Sequence, residues 1–269
     1  MPTVDLPHGA VYYREKGAGP ALVLLMGTGA DHTSWARQFT PLAERFRVIA
    51  PDNRGSGRSL PPPPPGYGVA DFAAETLEFL SRLGVDRFHV AGFSFGAAVA
   101  MEVAWAGGAR VASASFHAGW AGPNASTSAA LGRSLAVLET EGVEAFLLAA
   151  CRRNFSPAFQ HDDPAVFASF LKNVVQSATR PTLAGVLAQA RAGAAHDIRD
   201  RLPSLRLPVL VTTGEHDPLA GPAVAEEIAS LVPGAKLRIF RGPRAYHALP
   251  LEIADEFNAA LLDFHGGAA

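Results

Sequence analysis

Short apolar runs, each followed by a helical stretch, constrain what this chain can fold into. Ala21 to Met26 is one such run, stopped by Gly27-Thr28-Gly29. Phe46 to Ala50 is another, ended by Pro51, and Arg87 to Ala91 and Arg110 to His117 repeat the theme. Runs this short and continuous suit strands buried on both faces of a parallel sheet. Helices are expected between them, over 32–45, over 70–83 and to about Ala106. In the second of these, Phe72, Leu77, Leu80 and Leu83 recur at near-helical spacing. Val11, Tyr12 and Tyr13 mark an opening strand. Alternating strands and helices imply crossover units and a parallel sheet.

The rhythm breaks between about Gly119 and Leu205. That stretch reads as helices near 129–139, 143–152, 164–177 and 182–192, with no obvious strand. Strands at 207–213 and 235–241 and helices at 221–231 and 251–264 then resume it. The simplest organisation is an α/β core of residues 1–118 and 206–269, interrupted by a helical insertion at 119–205. A chain of 269 residues should bury roughly 75% of its unfolded surface, enough for a core without staples. Leu60 precedes five prolines, Pro61 to Pro65, which read as a stiff surface loop ahead of a ligand for a proline-recognising partner.

Charge and cysteine content narrow the chemistry. Lys plus Arg is 23 and Asp plus Glu is 25, a net charge of −2. No field of one sign is available to hold nucleic acid or an anionic membrane. The single cysteine, Cys151, excludes an internal disulfide framework and a multi-cysteine zinc site. The first residues lack a basic and an apolar region, so no signal peptide is expected, and no apolar run is long enough to span a bilayer. A cytoplasmic protein acting on a small molecule, without cofactor or metal, is the expectation. The sequence leaves oligomeric state open.

Gly92-Phe93-Ser94-Phe95-Gly96 has the pattern G-x-S-x-G between an expected strand and an expected helix. So tight a reversal strains the serine backbone, and the flanking glycines remove side chains that would collide. It lifts the hydroxyl to the sheet edge, beside a helix N-terminus that favours developing negative charge. Ser94 is therefore the candidate nucleophile; a glycine-flanked helix cap is the plainer alternative. A neutral serine needs a base, and the base needs an orienting group. His247 lies in the loop between the last strand and last helix, and Asp217 follows a strong strand thirty residues earlier. Both loops can emerge at one sheet edge. His216 and His117 are the competing bases, and Asp52 the competing acid, with a turn-stabilising role as its plainer reading. His89, inside a strand, reads as structural.

Other motifs carry less. After Gly27-Thr28-Gly29 the third glycine of a dinucleotide fingerprint would fall at His32. His161-Asp162-Asp163-Pro164 reads as a helix start with Asp163 as N-cap, ahead of a metal site. Cys151 has no paired-histidine signature and reads as a packed cap residue.

With Met26 to Gly29, Asp52 to Ser59, Gly92 to Gly96, Gly214 to Asp217 and Tyr246-His247 in hand, the chain resembles the α/β-hydrolase superfamily over nearly its full length. The resemblance implies a mostly parallel central sheet with helices on both faces and a helical cap insertion. It implies the chain order Ser94, Asp217, His247 for a catalytic triad. It also implies an oxyanion hole from the backbone N–H groups of Phe95 and Thr28. Many relatives carry His-Gly where this chain has Met26-Gly27, so a hydrogen bond that braces that loop is in question. Small esterases, enol-lactonases, carbon–carbon bond hydrolases and cofactor-free haloperoxidases look similar at this level. Trp120, Phe93 and His117 are the expected pocket residues.

The expected reaction is hydrolysis of a small, apolar ester, lactone or β-dicarbonyl compound through an acyl-enzyme. One alternative is a cofactor-free cyclase, lyase or oxidative enzyme with His247 as base and Ser94 only polarising. The other is a ligand-binding module without catalysis.

Overall fold

The computed structural model describes residues 2–162, 164–176 and 181–267. Its strands are β1 (Thr3–Leu6), β2 (Gly9–Lys16), β3 (Ala21–Leu25), β4 (Arg47–Pro51), β5 (Phe88–Phe93), β6 (Val111–His117), β7 (Val209–Gly214) and β8 (Lys236–Phe240). They form one sheet of eight strands in the order β1-β2-β4-β3-β5-β6-β7-β8. β1, β2 and β4 pair antiparallel, and β4 through β8 run parallel to one another.

The helices around the sheet are α1 (Ala36–Leu42), α2 (Val69–Arg82) and α3 (Phe95–Gly107) before β6, and α8 (Pro222–Leu231), α9 (Leu249–Glu252) and α10 (Ala254–Gly266) after β7. Between β6 and β7 lie α4 (Ala125–Asn154), α5 (Pro157–Asp162), α6 (Pro164–Gln176) and α7 (Leu183–Ala195).

Why the apolar runs become strands is clear in β3. All five of its residues are buried. Val23 and Leu25 join the core beneath α2, α3 and α8, while Leu22 and Leu24 join the core beneath α1 and α10. Successive side chains of a strand point to opposite faces, so a strand covered on both sides must be apolar throughout. The sheet is thus the middle of three layers.

Four elements differ from the sequence reading. The stretch expected as one helix over 32–45 opens instead with a 3₁₀ turn, His32–Trp35, before α1. Asp31 caps that turn by accepting from the Thr33 N–H at 2.9 Å. The helices near 129–139 and 143–152 are arms of one longer stretch, α4, broken at Gly142, whose φ of 85° ends the first arm. α5 was not expected, and the last helix is divided into α9 and α10 at Ile253. α6 begins at Pro164; its expected N-cap Asp163 and last residue Ser177 lie outside the described residues. Among the described residues no helix is long and apolar enough to cross a membrane.

Candidate active site

The parallel strands put the loops that follow β3, β5, β7 and β8 at one edge of the sheet, because each strand ends there. The loop after β5 is the tightest. Ser94 follows β5 directly and holds φ 56° and ψ −121°, a backbone conformation costly for a residue with a Cβ. Its N–H donates to the His117 carbonyl at 2.9 Å. The two flanking glycines are required by close approach. A Cβ on Gly92 would lie 2.1 Å from the Gly96 carbonyl oxygen, and one on Gly96 would lie 2.1 Å from that of Leu25. No side chain fits at either place, and α3 starts at the next residue, Phe95.

His247 reaches this serine because its loop folds back across the end of β7. The His216 N–H donates to the Ala245 carbonyl at 3.0 Å, and a Cβ on Gly214 would collide with that same oxygen at 2.2 Å. His247 Nε2 then lies 3.0 Å from Ser94 Oγ, and Nδ1 lies 2.7 Å from Asp217 Oδ2. Asp217 is fixed in turn: its Oδ1 accepts from the N–H groups of Leu219 and Ala220 at 2.8 and 2.9 Å. Burial pushes the Asp217 carboxyl up. The His247 charge and hydrogen bond and the two backbone donors outweigh burial, and the group ends below the usual carboxylate range. It stays an anion, able to hold the Nδ1 proton of His247.

Thr28 lies in the loop after β3 and lines the same cavity as Ser94. Phe95 opens α3, where a helix leaves its first N–H groups without intrahelical acceptors. The Phe95 ring is buried edge-on to Phe72 at 5.2 Å. The loop that carries Met26 in place of histidine is braced by other means. Asn53 Nδ2 donates to the Met26 carbonyl at 2.8 Å. Gln189 Oε1 accepts from the Gly29 N–H at 2.8 Å, and Gln189 Nε2 donates to the Arg54 carbonyl and Ser56 Oγ at 2.9 and 3.0 Å. Asp52 accepts from the His32 and Arg58 N–H groups at 2.8 and 3.0 Å and pairs with His32 Nδ1 at 2.8 Å. Asp52 therefore serves its turn and lies off the serine.

Ser94 and His247 open into a cavity of about 250 Å³. Phe93 and Trp120 line it, as do Leu131, Phe146, Phe155 and Leu251. Trp120 is held by its indole N–H, which donates to the Gly193 carbonyl at 2.9 Å. His117, expected in the pocket, is not there. Its Nδ1 bonds Thr212 Oγ1 at 2.7 Å and its Nε2 bonds Ser115 Oγ at 2.8 Å, inside the sheet. The physical reason is strand alternation: His117 ends β6 with its side chain toward α10, against Phe257. The competing base His216 is half exposed, 3.6 Å from Glu215. Cys151 lines the cavity, but burial pushes its thiol up to about 11, so the thiolate is scarce at neutral pH.

Sequence reasoning missed Gln189, Asn53 and Arg153, all of which bear on this site. Gln189 and Arg153 come from α7 and α4, and no local pattern marks which helical residue faces a cavity. Asn53 lies two residues after the end of β4, beside Asp52, a placement that could have flagged it. Among the described residues no group of three histidine, cysteine or acidic side chains could hold a metal ion.

Comparison with known proteins shows the family. A relative from Variovorax paradoxus, provisionally named carbamate hydrolase RutD, is 31% identical over 253 residues, covering 91% of each chain. One of the same name from Azorhizobium caulinodans is 30% identical over 266 residues, covering 99% of this chain and 98% of its own. The crystal structure of the enol-lactonase from Burkholderia xenovorans superposes with a TM-score of 0.87 at 26% identity, covering 98% of this chain and all of that one. The sequence profile of the α/β hydrolase fold matches residues 20–250, and the chain is an enzyme of the α/β-hydrolase family.

Proposed function

We propose that this enzyme hydrolyses a small ester or lactone through an acyl-enzyme formed on Ser94. His247 takes the serine proton and returns it to the leaving oxygen, and Asp217 holds the imidazole with Nδ1 protonated. The N–H groups of Phe95 and Thr28 receive the oxyanion, and water then releases the acyl group. The single observation that carries this reading is the hydrogen-bonded run from Ser94 Oγ through His247 to Asp217, at 3.0 and 2.7 Å, on a strained turn that opens to an apolar cavity. Each oxyanion donor of this kind is worth roughly 2.7–4 kcal/mol of barrier.

We read residues 119–205 as a cap that closes this site. What supports the reading is the lining: Leu131 and Phe146 from α4, Phe170 from α6 and Gln189 from α7 face the same cavity as Ser94. A cavity of about 250 Å³ with such walls favours a short apolar acyl or ring group.

Steady-state hydrolysis of a short-chain nitrophenyl ester and of γ- and δ-lactones tests the proposal. Ser94→Ala and His247→Ala should each lower kcat by a factor on the order of 10⁴ or more. Activity that survives Ser94→Ala and is lost in His247→Ala would instead assign His247 as the base of a reaction without an acyl-enzyme.

A further inference from the structure

The cavity at Ser94 also holds an arginine with no carboxylate in ion-pair contact among the described residues. Arg153 stands at the end of α4 and lines the cavity together with Ser94 and His247. Its Nε donates to Asn154 Oδ1 at 3.0 Å and its Nη1 to Ser134 Oγ at 2.7 Å. Both acceptors are neutral, and both belong to the cavity wall. Nη2 has no partner among the described residues, and no described carboxylate pairs with the guanidinium. The one carboxylate among the described residues of the wall, Asp31, accepts from the N–H of Thr33.

A cation taken from water into apolar surroundings is costly unless an anion meets it. Burial already pulls the Arg153 guanidinium below its ordinary pKa, with the Asp217 charge acting the other way. The open edge of the fork, Nη2 with the second Nη1 proton, has the geometry that takes a carboxylate through two parallel hydrogen bonds. Pinning the two arms of α4 through Ser134 occupies only one of the five N–H donors.

We propose that the substrate of this site carries a carboxylate that pairs with Arg153 while its scissile carbonyl lies at Ser94. This rests on the hydrolytic reading above and sharpens its substrate class. The cavity volume limits the spacer between the two groups to a few carbons. Half-esters of short dicarboxylic acids have that form.

A matched pair of esters tests the assignment. 4-Nitrophenyl hydrogen succinate and 4-nitrophenyl butyrate share a leaving group and a four-carbon acyl chain, and differ in the terminal charge. With spontaneous hydrolysis subtracted, kcat/KM for the charged ester should exceed that for the neutral one by at least about tenfold, or about 1.4 kcal/mol. That ratio should fall toward one in Arg153→Met and be partly restored in Arg153→Lys. A wild-type ratio at or below one, or a ratio unchanged in Arg153→Met, overturns the proposal. Calorimetric binding of monomethyl succinate and of methyl butyrate to Ser94→Ala separates the two readings. If neither ester is turned over but monomethyl succinate binds through Arg153, the carboxylate site stands and the hydrolytic reading falls. Turnover of the butyrate ester with no preference for the charged partner gives the reverse.

Discussion

At the scale of single residues, Asp217 shows how a buried anion is kept. Its carboxylate gathers His247, two backbone N–H groups and a lowered pKa in a place where burial alone would neutralise it. Asp217→Asn retains the shape but reverses what His247 Nδ1 meets, so the imidazole turns to the wrong tautomer. We expect kcat to fall by about 10⁴-fold with the fold intact, as read by ester hydrolysis beside circular dichroism. A loss of less than about tenfold would show that Asp217 does not orient the base. The glycines of the elbow answer to sterics alone. Gly96→Ala places a methyl group 2.1 Å from the Leu25 carbonyl, so β3 or α3 must move. A loss of roughly 1–3 kcal/mol is expected, measured as a lower urea midpoint. An unchanged midpoint would mean that the turn has slack that the close approach denies.

At the scale of elements, Gln189 joins α7 to the loops after β3 and β4. It is fully buried, and all three of its hydrogen bonds cross from the inserted helices to the sheet edge. Gln189→Leu strands the Gly29 N–H, the Arg54 carbonyl and Ser56 Oγ, each at about 1–3 kcal/mol where water cannot enter. Because Gly29 neighbours Thr28, the proposed oxyanion donor shifts with it. The expected result is a lower Tm together with a kcat that falls by more than KM rises. A lower Tm with unchanged kcat would reduce Gln189 to a structural tie. This element also marks the limit of sequence reading. β3, β5 and β7 were legible because strands buried on both faces leave unbroken apolar runs, as Leu22 to Leu25 and Val209 to Val211 do. Ser94, Asp217 and His247 were legible because parallel strands deliver their loops to one edge. The side chains of Gln189 and Arg153 were not, because their partners depend on how α4 and α7 seat on loops far away in sequence. His117 was misread for a related reason: its place at the end of β6 was right, but the face of β6 it takes decides what it touches.

At the scale of the whole molecule, a run of buried histidines crosses the core. His89 meets Ser113, Ser113 meets His265, His265 meets Ser115, Ser115 meets His117, and His117 meets Thr212, every contact between 2.7 and 2.9 Å. Hydroxyl partners can donate or accept, so neutral imidazoles are satisfied there, while none of these partners carries a negative charge to offset the burial of a charged one. Burial holds His117 down to about 3 and His196 down to about 4, and it also lowers His89 and His265. In the unfolded chain each returns to about 6.5. As pH falls below that value, the unfolded state takes up protons that the fold refuses, so stability is complete above it and is lost toward pH 4. Each such group steepens the loss by up to about 1.4 kcal/mol per pH unit. Urea midpoints at pH 7.5 and pH 5 should differ clearly, with the lower one at pH 5. Equal midpoints would mean that these imidazoles find protons or water inside the fold.

The central claim is that Ser94 is a nucleophile activated by His247. Intact-mass measurement after treatment with a fluorophosphonate ester tests it most directly. The account predicts one adduct per chain, mapped to the peptide that contains Ser94 and absent from Ser94→Ala. No adduct on the native protein, or the same adduct on Ser94→Ala, would contradict it.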